Sequence, residues 1–114
     1  MKTSVALCTY NGEKYIKEQL DSILNQSVPV DEIVICDDGS NDKTIEIITE
    51  FQLKYPNKIV LHKNPTNLRS NKNFEKAVSL CAGKYIATAD QDDIWHLDKL
   101  QKLYIALEQN PNAI

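Results

Sequence analysis

The sequence predicts an α/β fold, a Rossmann-like open parallel sheet with flanking helices. Three observations lead there. Four short apolar runs each pass, through a loop, into a stretch whose apolar residues return at helical spacing. The runs are apolar on both faces rather than alternating, as strands buried between two helical layers read. Right-handed connections between parallel neighbours then leave an open doubly wound sheet or one half of it.

Thr3 to Thr9 is the first strand, ended by Tyr10-Asn11-Gly12, and Ile16, Leu20, Ile23 and Leu24 mark a helix closed by Val28-Pro29. Glu32 to Cys36, dense in isoleucine and valine, is the second strand and runs out at Asp37-Asp38-Gly39-Ser40. Ser40 or Asn41 caps the next helix, with Ile45, Ile48 and Phe51 on one face before Pro56. Lys58 to His62 is strand three, and Asn64-Pro65-Thr66-Asn67 a turn-rich loop. Phe74, Ala77, Val78 and Cys81 stripe the third helix, where Gly83 is expected to be the left-handed terminating residue. Lys84 to Ala89 is strand four, and Leu97, Leu100, Leu103 and Leu107 head a fourth helix. Pro111-Asn112-Ala113-Ile114 reads as the approach to another strand, so a C-terminal truncation is expected.

With 114 residues, 42% hydrophobic and 25% charged, the chain fits one domain or part of one. Net charge is −3 and the 13 Lys and Arg residues are scattered, which excludes a nucleic-acid or anionic-membrane binder. Cys8, Cys36 and Cys81 lie inside apolar segments, without CxxC pairs or neighbouring histidines, and read as core residues in a reducing compartment. The sequon Asn25-Gln26-Ser27 falls near a helix end and reads as chance. The longest apolar stretches, about six residues, are far short of a membrane span. The segment is expected in the cytoplasm, with any attachment to the inner face of the membrane left to a longer parent chain.

Chemistry concentrates where strands leave the core. Asp90-Gln91-Asp92-Asp93 follows Tyr85-Ile86-Ala87-Thr88-Ala89. If strand geometry persists, Asp90 and Asp92 share a face about 6 to 7 Å apart. Their repulsion is then about 2 to 3 kcal/mol at an effective dielectric near 20. A hard divalent cation offsets this and can hold a diphosphate; the alternative is that these carboxylates cap the next helix, a cap or a structural hydrogen bond being the better reading for Asp93. The loops Thr9-Tyr10-Asn11 and Asp37-Asp38 lie on the same carboxyl edge, where open α/β sheets bind ligands. No GxGxxG or GxxxxGK is present, and Asp37, Asp38 and Asp42 around the second helix start disfavour bare phosphate. Acid there suits a base, a ribose or a metal. Asp38 can accept the ring N–H of uracil, thymine or guanine, whereas cytosine and adenine present an acceptor instead. Asp37 either bonds the Gly39-Ser40 turn amides or serves a ligand.

VALCTYN, ICDDGSNDKT, GKYIATADQDDIW and the following DKL resemble, in order and spacing and over essentially the whole chain, the nucleotide-sugar-binding half of the family 2 glycosyltransferases. These have the GT-A fold, of which residues 1–114 would be the N-terminal half. The DQDDIW form is similar to bacterial members that build surface polysaccharides, a rhamnosyltransferase-like subgroup among them. The resemblance implies that Cys8, Thr9 and Tyr10 border the nucleobase, with Tyr10 stacking on it or, alternatively, sitting in the core. It implies Glu13 near the ribose, or else a plain exposed acid. Asp38 is implied on the base, Asp90 on the ribose or a water-bridged metal, Gln91 between them or facing a neighbouring strand, and Asp92 on Mg²⁺ or Mn²⁺ bridging the phosphates.

Arg69 stands where many relatives have glycine, and Arg69 or Lys72 either contacts the diphosphate or is a solvated charge. No residue matches the family's catalytic base, which comes from a later segment; His62 and His96 do not substitute for it. The implied reaction is inverting transfer from a UDP-, dTDP- or GDP-sugar to a glycan or lipid-linked acceptor. The isolated 114 residues are expected to bind donor weakly and transfer poorly or not at all, which leaves a noncatalytic nucleotide-sugar-binding fragment as one alternative. A metal-binding signalling receiver is another, but Cys8-Thr9 and Lys63-Asn64 stand where it needs acids. A sugar nucleotidyltransferase would need a glycine-rich basic first loop, which is absent.

Overall fold

A computed structural model of the chain describes residues 2–89 and 93–109. The strands Thr3–Thr9 (β1) and Glu32–Asp37 (β2) are buried at every residue, so both must lie inside the sheet with helices on each face. Ile59–Lys63 (β3) and Tyr85–Ala89 (β4) keep exposed positions and take the edges. All pairings are parallel in the order β3-β2-β1-β4, with Leu7 opposite Ile35 on one side and Ala89 on the other. The order reverses between β1 and β4, the switch point beside which such sheets hold ligands.

The helices Ile16–Leu24 (α1) and Thr44–Lys54 (α2) cover one face, where Leu7, Ile16, Leu20, Ile23, Ile33, Ile35 and Ile48 are almost fully buried. Each such side chain contributes about 1.5 to 3 kcal/mol, which outweighs the weak intrinsic preferences of the segments. Arg69–Leu80 (α3) covers the other face, seating Ala77, Phe74, Val78 and Cys81 on Ala6, Cys8 and Cys36. All three cysteines are free thiols, two of them buried. Lys99–Gln109 (α4) returns to the α1 side through Leu100. Gln26 ties it there, accepting from the Leu100 amide (3.1 Å) and donating to the His96 carbonyl (2.6 Å). Among the described residues no helix is long and apolar enough to cross a membrane.

Five local expectations differ from the structure, Gly83 among them. The α2 start is not capped by Ser40 or Asn41. Ser40 Oγ is engaged with Asp37 and the Asn11 amide, and the Asp42 carboxylate instead takes the Thr44 amide (3.0 Å). The α2 stripe is Thr44, Ile47, Ile48 and Phe51, with Ile45 left partly exposed. On α4 the inward face is Leu100, Tyr104 and Leu107, because the helix begins only at Lys99; Leu97 precedes it and Leu103 faces out. Asp93, well ahead of Lys99 and exposed, does not cap that helix.

Gly83 is not left-handed, since Gly39 is the only positive-φ glycine among the described residues. Its requirement is space. A Cβ there would stand 2.6 Å from Ser4 Oγ and 2.8 Å from the Ser4 backbone nitrogen, inside the rigid β1 ladder. Gly83→Ala is therefore expected to destabilise the fold by about 1 to 3 kcal/mol, read as a lower urea midpoint at unchanged slope.

Candidate functional site

Two adjacent aspartates, Asp37 as the last residue of β2 and Asp38 just past it, do different work. Asp37 Oδ1 accepts from Thr9 Oγ1 (2.7 Å) and Ser40 Oγ (2.6 Å), while Oδ2 accepts from the amides of Gly39 (3.1 Å) and Ser40 (2.8 Å). A carboxylate offers about four such positions, so Asp37 is filled and its ligand reading falls away. Gly39 supplies the φ of 97° that this tight return needs.

Asp38 faces the opposite side and holds the loop after β3. Oδ1 accepts from Asn64 Nδ2 (2.9 Å) and the Leu68 amide (2.7 Å), and Oδ2 from the Arg69 amide (2.9 Å). Leu68 is right-handed (φ −95°, ψ −15°) and Arg69 left-handed (φ 67°), the alternation that turns consecutive N–H groups toward one anion. Here the anion is the protein's own carboxylate. Burial alone would raise its pKa. The bonds from Leu68, Asn64 and Arg69, with the charge of Lys76, outweigh that and hold it below the usual carboxylate value. Behind it, Asn64 Nδ2 also donates to Asn73 Oδ1 (2.8 Å), Asn73 Nδ2 to the Cys36 carbonyl (2.9 Å), and Lys76 Nζ to Asn64 Oδ1 (2.7 Å).

The result is a cavity of about 290 Å³ at the carboxyl edge, walled by Cys8, Thr9, Tyr10, Asp38, Asn67, Arg69, Ser70 and Asn73. Its size is near the lower end of small-ligand sites, about 300 to 1,000 Å³. The neighbouring loops are zipped together, with the Asn11 amide on Ser40 Oγ (2.8 Å), the Asn41 amide on Asn11 Oδ1 (2.7 Å) and the Gly12 amide on Thr44 Oγ1 (2.8 Å). A larger groove of about 790 Å³ lies at the amino ends of β1 and β4, lined by Thr3, Tyr85, Leu103 and Leu107 among others, and holds none of the predicted site residues that are described.

Residues 4–114 match the family model described as glycosyl transferase family 2. The chain belongs to this family. It is 41% identical, over 94% of its own length, to an uncharacterized glycosyltransferase of Methanocaldococcus jannaschii, and covers 37% of that protein. It is 43% identical to the dTDP-rhamnosyl transferase RfbG of Shigella flexneri, over 83% of this chain and 34% of that one. Among solved structures, TarS of S. aureus in complex with UDP-GlcNAc superposes with a TM-score of 0.85 at 30% identity, over 97% of this chain and 32% of TarS. The chain thus spans about a third of the length of these relatives. Its α/β fold is the GT-A fold of those neighbours, and the receiver and nucleotidyltransferase readings fall away with the family.

The family's expected base-binding residues Cys8, Thr9, Tyr10 and Asp38 meet on one wall, and Arg69 joins them. Tyr10 is 48% exposed and lines the cavity, so it is not a core aromatic. Glu13 is not brought to that wall. Its carboxylate accepts from the Lys43 amide (3.3 Å), and its own amide donates to Asp42 (3.2 Å). Lys72 is exposed, and neither it nor His62 nor His96 lines the cavity. Asp90, Gln91 and Asp92 lie outside the described residues; among those described, no group of three or more His, Cys, Asp or Glu could hold a metal ion. Sequence reasoning missed Asn64, Asn67, Ser70 and Asn73. One sign was available, since Asn73 is a polar residue one turn before Ala77 on the buried stripe of α3.

Two outcomes test this geometry. A glycine reaches φ 67° without the Cβ penalty that Arg69 bears, but its unfolded chain is more flexible; Arg69→Gly is expected to stabilise by up to about 1 kcal/mol in thermal unfolding. Because the Asp38 pKa is depressed by folding, its stabilisation is fully present above the ordinary carboxylate pKa and is lost as pH falls through the folded value. The stability gap between wild type and Asp38→Asn should therefore be constant near neutrality and narrow below about pH 4, as followed by denaturant melts across pH.

Proposed function

We propose that residues 1–114 are the donor-binding part of a metal-dependent, inverting glycosyltransferase. It would use a UDP-, dTDP- or GDP-sugar and a glycan or lipid-linked acceptor, in surface-polysaccharide synthesis. The observation that carries this is the cavity where Cys8, Thr9, Tyr10 and Asp38 converge at the carboxyl edge of the sheet. Tyr10 offers a face for stacking on a base, and Asp38 keeps an acceptor position for a ring N–H. β4 ends at Ala89, paired with Leu7 two residues before Thr9 of this wall, and Asp90-Gln91-Asp92 is the sequence that follows it. Two carboxylates there are the donor chemistry a hard cation takes, and Asp92, with Asp90, would hold Mg²⁺ or Mn²⁺. Bound there, such a cation would neutralise charge developing on the departing diphosphate.

The named relatives support a nucleotide-sugar donor and a surface-polysaccharide setting for this reading. RfbG is described as a dTDP-rhamnosyl transferase, and TarS has been solved with UDP-GlcNAc. A mannosyltransferase of Pyrobaculum calidifontis, 25% identical with a TM-score of 0.85 over 93% of this chain and 32% of its own, carries GDP-Man and Mn²⁺. Poly(ribitol-phosphate) beta-glucosyltransferase of Bacillus spizizenii is 31% identical. The acceptor hydroxyl needs a base to take its proton, and none of the matched residues supplies one; we assign that role to a segment beyond residue 114, so the isolated chain binds donor without turnover.

A thermal-shift panel of UDP, TDP, GDP, CDP and ADP with and without Mn²⁺, on wild type and Asp92→Ala, tests the reading. Ligand at about 100 times its dissociation constant adds about 2.7 kcal/mol of stability. The expected result is Mn²⁺-dependent stabilisation that Asp92→Ala loses. A preference for CDP or ADP would sink the base role of Asp38, and sugar transfer by residues 1–114 alone would sink the assignment of the base elsewhere.

A further inference from the structure

We infer that the loop after β3 selects the nucleobase by consuming the Asp38 carboxylate, leaving one acceptor position that suits uracil or thymine and not guanine. This rests on the proposed donor site. Uracil and thymine present one ring N–H between two carbonyls, whereas guanine presents N1–H and the adjacent amino group side by side and is held best by both oxygens of a carboxylate at once. In this chain both oxygens are already bridged, because the consecutive amides of Leu68 and Arg69 take Oδ1 at 2.7 Å and Oδ2 at 2.9 Å. Asn64 Nδ2 takes the second position of Oδ1 at 2.9 Å. Of about four acceptor positions three are filled, and the remaining one belongs to Oδ2. Guanine's two donors would have to compete with the Leu68 and Arg69 amides, and a donor left unmatched in a closed site is costly.

The arrangement is held from behind rather than by the ligand. Asn73 is 2% exposed, fixed between the Cys36 carbonyl and Asn64, and Lys76 occupies the remaining oxygen of Asn64. Asn64 cannot turn its amide away without stranding partners on both sides, so Oδ1 stays blocked. Asn64 and Asn73 are thus positioning residues for base choice, and Arg69 takes part through its backbone, whose left-handed φ of 67° aims its amide at Oδ2.

Direct titration of the full chain with UDP, TDP and GDP in Mn²⁺ reads the selectivity. Wild type is expected to bind UDP and TDP at least tenfold tighter than GDP, about 1.4 kcal/mol. Asn64→Ala opens a second position on Oδ1 and should narrow that ratio by about fivefold, the worth of one hydrogen bond. Lys76→Met, which releases Asn64 Oδ1 and lets its amide turn, should narrow the ratio in the same direction and serves if Asn64→Ala does not fold. Equal wild-type affinity for GDP and UDP overturns the inference while leaving the donor site standing. So does an Asn64→Ala variant that weakens every nucleotide by one common factor, the signature of a merely structural role. Binding of no nucleoside diphosphate would overturn the donor site itself, and the selectivity with it.

Discussion

The carboxylate of Asp38 is the point on which the site depends. It is buried, and an unpaired buried charge would be costly enough to protonate or to be driven out. Three N–H groups from the loop after β3 meet it, which stabilises the charge and fixes the loop in the same act. The loop and the first turn of α3 in turn supply Asn67, Arg69 and Ser70 to the cavity wall. Without that carboxylate the wall would have no reason to stand where it does, so the electrostatics of one side chain and the shape of the pocket are a single constraint.

Adjacent identical residues have separate tasks because a strand alternates its faces. Asp37 turns to Thr9, Gly39 and Ser40 and closes the β2–α2 corner, and Asp38 turns toward α3. The corner is braced by Asn11, Ser40 and Thr44, which join the loops after β1 and β2. Local backbone cost collects here. Asn11 and Arg69, the positive-φ non-glycine residues among those described, lie at this edge, one in the loop after β1 and the other opening α3. At this left-handed φ a glycine in place of Arg69 would carry no Cβ penalty. The strain persists because two amides gain a charged partner.

Much of the framework was legible beforehand. Runs such as Val5-Ala6-Leu7-Cys8 and Ile33-Val34-Ile35-Cys36 are too uniformly apolar for anything but buried strands, and helical spacing placed α1 and α3 to within a few residues. The convergence of Thr9, Tyr10 and Asp38 followed from parallel connectivity alone. Where the reading failed, a neighbour distant in sequence had intervened. Gly83 looks like a helix terminator until Ser4 is seen against it, and Ser40 looks like a cap until Asp37 and Asn11 claim its hydroxyl.

The sequence by itself determined the class of fold, the edge on which the chemistry gathers and the family, because periodicity and short motifs are properties of consecutive residues. Tertiary structure alone decided that Asp38 is mostly spent on Leu68, Arg69 and Asn64, that Glu13 is bound into a loop corner away from the cavity wall, and that Asn73 and Lys76 belong to the site's foundation. The reason is that hydrogen-bond capacity is settled by which donors arrive, and here they arrive from roughly thirty residues further along the chain, a separation at which neither propensity nor pattern carries information.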